Sequence, residues 1–118
     1  MWALAPGEST APYHYERRRE ECALVLIGTP TLRHAEGEDL LAPGDIVGFP
    51  DGPAGAHRLR NDGPAPARVL VISTPVDRPM SAVYPDDDTV VVRLSDRTGF
   101  RFRAADRVQN YWDGEPGA

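Results

Sequence analysis

The chain has 118 residues, enough for one hydrophobic core and too few for two. Its 41% hydrophobic content suits an ordinary globular domain, while 18 acidic against 13 basic residues leave a net charge of -5 that repels phosphate backbones and argues against nucleic-acid binding. Every basic residue is Arg, which excludes Schiff-base chemistry and a P-loop lysine, and the lone Cys22 excludes an intramolecular disulfide or a thiolate cluster and points to a reducing cytoplasm.

The opening MWALAPGEST has no basic segment followed by an apolar stretch, and no apolar run is long enough to span a bilayer, so neither export nor membrane insertion is expected. From there apolar runs are short: CALVLIG at 22–28, TLRH at 31–34, DIVGF at 45–49, HRLRN at 57–61, RVLVIST at 68–74 and TVVVRL at 89–94. Between them AEGED (35–39), LAPGD (41–45), PDGPAGA (50–56) and NDGPAPA (61–67) supply the Gly, Asn, Asp and Pro that tight turns require. This rhythm predicts an all-β sandwich or barrel, with no helix of any length. PDDDT at 85–89 marks a break between a barrel core over about 1–85 and a C-terminal extension over 86–118, expected to pack through Val90, Val92, Phe100, Phe102, Tyr111 and Trp112.

Chemistry-bearing residues concentrate in PYHYERRREE. His14 and Glu16 are two apart, so an extended strand projects both from one face and Tyr13 and Tyr15 from the other. Glu21 shares a face with Ala23, Val25 and Ile27, and a carboxylate at the mouth of an apolar surface needs a partner. His57 shares its face with Leu59 and Asn61 and follows a turn-rich loop able to return the chain to the first segment. Two imidazoles and two carboxylates suit Mn, Fe or Zn. The competing reading leaves Glu16 paired with Arg17, Arg18 or Arg19 in solvent, and the other three hydrogen-bonded within a barrel that holds no ion. His34 is expected to be exposed beside its turn, Cys22 to pack, and Asp86, Asp87 and Asp88 to form a solvated turn.

The first segment resembles the first motif of the cupins, two His flanking one residue, then Glu, then a closing Gly, at His14, Glu16, Glu21 and Gly28. The second motif is matched by Gly44, Pro50, Gly52, His57 and Asn61. The resemblance implies a jelly-roll barrel, a double-stranded β-helix, with one divalent metal ion inside on His14, Glu16, Glu21 and His57. Glu16 stands where the family usually has its second His, which brings a divalent site to about zero formal charge and favours Mn or Fe over Cu.

Three functions follow as expectations. The first is a metal-dependent enzyme on a small polar substrate, of isomerase, decarboxylase or oxygenase type. The others are a non-catalytic module that binds a small ligand, and an accessory cyclase or bond-forming protein in specialised metabolism. A homodimer is expected, since edge strands on so small a barrel are commonly covered by a second copy.

Overall fold

The computed structural model describes residues 1–75, 79–94 and 98–106. Among them the chain runs through β1 (Trp2–Leu4), β2 (Tyr15–Arg17), β3 (Glu21–Ile27), β4 (Thr31–His34), β5 (Gly37–Leu40), β6 (Ile46–Phe49), β7 (His57–Arg60), β8 (Ala67–Ser73), β9 (Met80–Tyr84), β10 (Thr89–Arg93) and β11 (Gly99–Arg103). Helical structure among the described residues is limited to 3-10 turns at Pro53–Gly55 and Ala104–Asp106, as the lack of helical periodicity predicts.

All strand pairs are antiparallel, and they form three sheets of order β1-β8-β3-β6, β5-β4-β7 and β11-β10-β9-β2. The arrangement is a jelly-roll barrel. Period-two alternation in β3 sends Ala23 and Val25 inward, where they join Leu32, Leu41, Phe49, Leu59 and Val69 in the core, and leaves Cys22 and Leu24 on the outer face. Fully burying a side chain such as Val25 or Val69 contributes about 1.5–3 kcal/mol, so these few residues dominate the barrel's stability. Ile27 breaks the expected alternation: the β3–β8 register shifts between Val25 and Ile27, and the bulge turns Ile27 outward to 53% exposure.

Two glycines make the close approaches possible. Gly28 ends β3 at φ +84°, where a Cβ would lie 2.8 Å from Ala67. Gly55 crosses Pro50 so tightly that a Cβ would meet its carbonyl oxygen at 1.9 Å. That second crossing folds the 50–56 loop onto itself directly before His57.

The break marked at PDDDT is the turn of a hairpin, since β9 and β10 pair across it and β11 continues the same sheet. Val90 and Val92 are half-buried there, whereas Phe100 and Phe102 are exposed rather than packed. Tyr111 and Trp112 lie outside the described residues.

Candidate functional site

His14 and His57 come together because their backbones pair in an isolated bridge, each N–H donating to the other's carbonyl at 3.2 and 2.9 Å. Their rings lie 4.8 Å apart, and Phe49 stacks on His57 at 3.6 Å. Each Nδ1 donates to a carbonyl two residues earlier in the chain, Pro12 at 2.9 Å and Gly55 at 2.8 Å. A carbonyl oxygen only accepts, so Nδ1 carries the proton in both neutral rings and Nε2 keeps its lone pair. Those lone pairs face carboxylates: Nε2 of His14 is 3.5 Å from Oε1 of Glu16, and Nε2 of His57 is 3.7 Å from Oε2 of Glu21.

All four residues singled out in the sequence thus line one cavity of about 350 Å³, whose walls include Trp2, Thr10, Leu59 and Val71. A fifth residue, Arg19, stands among them. Its Nε is 3.5 Å from both Oε2 of Glu16 and Oε1 of Glu21, and its Nη2 donates to Oγ of Ser73 at 2.8 Å. Neither carboxylate contact is a hydrogen bond, and Oε2 of Glu16 and Nε of Arg19 are both buried without a hydrogen-bond partner. Among the described residues, no three His, Cys, Asp or Glu side chains close around a point that would hold an ion.

Three consecutive arginines therefore have three fates. Arg17 pairs with Asp51 at 3.6 Å, and the backbone N–H of Arg18 donates to the same carboxylate. Arg18 adopts φ 65°, a left-handed conformation uncommon for a residue with a side chain, and this local inversion sends Arg19 inward. Glu16 does pair with an arginine, as the competing sequence reading allowed, but inside the cavity at 12% side-chain exposure.

The electrostatics split the two histidines. Burial opposes the charged form of His14, but Glu16, the Pro12 carbonyl and Glu21 outweigh it and raise its pKa. At His57 burial dominates and lowers the pKa. Burial and the charge of Glu16 push Glu21 up, against the pull of Arg19. By donor chemistry, though the side chains do not close around one point, the set suits a divalent ion of the Mn, Fe or Zn kind: two ring nitrogens with Nε2 unprotonated in the neutral form and two carboxylates, one with an unpartnered buried oxygen.

The remaining residues play structural parts. His34 is half-buried and bonds Asp39 across the β4–β5 hairpin at 2.9 Å, and Cys22 sits on the outer face of β3. Tyr13 is buried under the guanidinium of Arg33, 3.9 Å from its ring centroid, while Asp86, Asp87 and Asp88 form an exposed turn.

A family model described as the cupin domain matches residues 1–73. Among solved structures, a sugar phosphate isomerase from a cupin superfamily of Silicibacter pomeroyi is 28% identical with TM-score 0.81, over 92% of this chain and 68% of that one. A candidate sugar phosphate isomerase of Acidithiobacillus ferrooxidans is 33% identical with TM-score 0.83, over the same shares. An oxalate decarboxylase, so assigned by prediction, of Thermotoga maritima shares the fold at 21% identity and TM-score 0.55, over 60% of this chain and 59% of that one. No curated protein matches the chain.

Proposed function

The chain belongs to the cupin domain family, and on that premise we propose that it binds one divalent ion, Mn, Fe or Zn, through His14, Glu16, Glu21 and His57 and is an enzyme acting on a small polar substrate. The observation that carries this reading is the pairing of two tautomer-fixed histidines with two carboxylates in one cavity. Isomerisation of a sugar-phosphate-like molecule is the favoured reaction, supported by the names of the two relatives matched over 92% of the chain. When bound, the ion supplies Lewis acidity to a carbonyl or hydroxyl oxygen of the substrate. The chain's own residues do the rest. Pro12 and Gly55 hold the imidazoles in register, Phe49 locks the His57 ring, and Leu59 and Val71 line the cavity with apolar surface.

The same proposal takes the protein as a cytoplasmic homodimer that engages neither nucleic acid nor membrane. Among the described residues no helix is long and apolar enough to cross a bilayer. Dimerisation is supported by the outer face of the β1-β8-β3-β6 sheet, where Leu70, Leu24 and Ile46 lie in register beside Ile72, and Ile46 and Ile72 are 71% and 58% exposed.

Metal analysis by mass spectrometry of protein purified without added metal or a histidine tag tests the site. Near-stoichiometric metal is expected in the parent protein. Glu16→Ala, Glu21→Ala and His57→Ala are expected to lose most of it while keeping a folded circular-dichroism spectrum. Unchanged content in these variants removes the assignment. No metal even after reconstitution turns the reading to a non-catalytic binding module.

A further inference from the structure

Among the described residues Arg19 is the one arginine lining the cavity, and it sits where two of the proposed metal ligands converge. We propose that Arg19 is a built-in competitor of the divalent ion: its guanidinium holds Glu16 and Glu21 together, and metal binding expels it from between them. This inference rests on the metal reading above and adds a determinant of affinity to it.

Three observations carry it. The first is position: one Nε stands 3.5 Å from one oxygen of each carboxylate while the other oxygens turn to His14 and His57, so among the described residues the guanidinium lies between the carboxylates and the four side chains do not close around one point. The second is the quality of the contact. Oε2 of Glu16 and Nε of Arg19 are buried beside each other with no hydrogen bond made, so each group retains unspent bonding capacity that a different partner can take up. A guanidinium built as a permanent clamp forms paired, parallel hydrogen bonds to a carboxylate. Such a clamp exists elsewhere in this chain, where Arg60 grips Glu38 at 2.6 and 2.8 Å.

The third observation is a place to go. Arg19 is 22% exposed, its Nη2 is already anchored outside the carboxylate pair on Ser73, and it also lines a second groove of about 300 Å³ with Glu20, Asp51 and Thr74. Rotation towards that groove, which Glu20 and Thr74 line beside Arg18 and an Asp51 already held by Arg17, takes the guanidinium out from between Glu16 and Glu21. Charge sets the direction of the effect. Arg19 in place fills the position between Glu16 and Glu21 that a cation would take. Removing it leaves the full charge for the incoming ion and ends a like-charge repulsion at close range.

Isothermal titration of Mn into metal-free protein compares the parent chain with Arg19→Gln, Arg19→Met and Arg68→Gln. Both Arg19 variants are expected to bind Mn about tenfold more tightly or better, the equivalent of one pKa unit of electrostatic relief. Arg68→Gln changes net charge equally from the exposed side of β8 and lines neither the cavity nor the groove, so its affinity is expected to match the parent's. Two independent neutral replacements guard against one failing to fold, as checked by circular dichroism. Unchanged or weaker binding in the Arg19 variants overturns the competitor role and leaves the metal reading standing. Equal tightening in Arg68→Gln also overturns it, because the effect is then bulk charge. Absence of binding in every protein overturns both readings together.

Discussion

Asn61 is 1% exposed and spends its amide completely, donating to the carbonyls of Leu4 at 3.0 Å and Ala65 at 2.8 Å and accepting from the N–H of Gly63 at 3.0 Å. It thereby ties β1 to the turn that leads into β8. Asn61→Ala leaves three backbone groups without this partner, the Leu4 carbonyl in a buried contact and those of Gly63 and Ala65 in part-buried ones, and is expected to cost about 1–3 kcal/mol. Urea unfolding checks this: the midpoint falls while the slope stays constant. Period-two spacing in HRLRN is enough to put Asn61 on the buried face with His57 and Leu59. Arg19 gave no comparable signal. Among three identical neighbours, only the left-handed turn at Arg18 decides which one enters the cavity, and neither composition nor periodicity encodes that inversion.

The β9–β10 hairpin is docked on the barrel through Arg33 of β4, whose guanidinium grips both oxygens of Asp86 at 2.5 and 3.0 Å and covers the Tyr13 ring. The bond to Arg33 holds Asp86 below its ordinary pKa of 3.8. A carboxylate depressed in the folded state contributes its stability above the unfolded pKa and loses it as pH falls through the folded one. Acidification below about 3.8 therefore loosens this contact, and Asp86→Asn does so at neutral pH. Hydrogen exchange is expected to show lower protection factors in β9 and β10 of that variant, with β3 and β8 unchanged. Equal protection in all four strands refutes the docking role. Strands with an apolar rhythm, such as β3, β8 and β10, were legible in the sequence. AEGED reads as a turn for its Gly and acidic residues, whereas β5 runs from Gly37 with all four residues exposed, held by backbone pairing with β4 and by the ties of Glu38 to Arg60 and Asp39 to His34 rather than by an apolar face. β1 has only three residues, too few for periodicity to register, and β9, though as long as β10, carries Met, Ser and Ala where β10 has a run of valines.

At the scale of the whole molecule, burial of the Ile46 and Ile72 face against a second copy predicts a dimer that Ile72→Asp converts to monomer, because the introduced charge would be desolvated at the contact. Sedimentation equilibrium reads this directly, and a variant that keeps the parent mass rejects the face as the interface. The method matters because the fold is drawn out. The β9–β11 hairpins extend the barrel to 60 × 27 × 22 Å with a radius of gyration of 16.8 Å, against about 13.5 Å for a compact domain of this length. That radius belongs to a compact domain of about 210 residues, close to two copies of this chain. A single subunit of this shape meets more friction than a sphere of its mass, so elution volume on a sizing column overstates its mass.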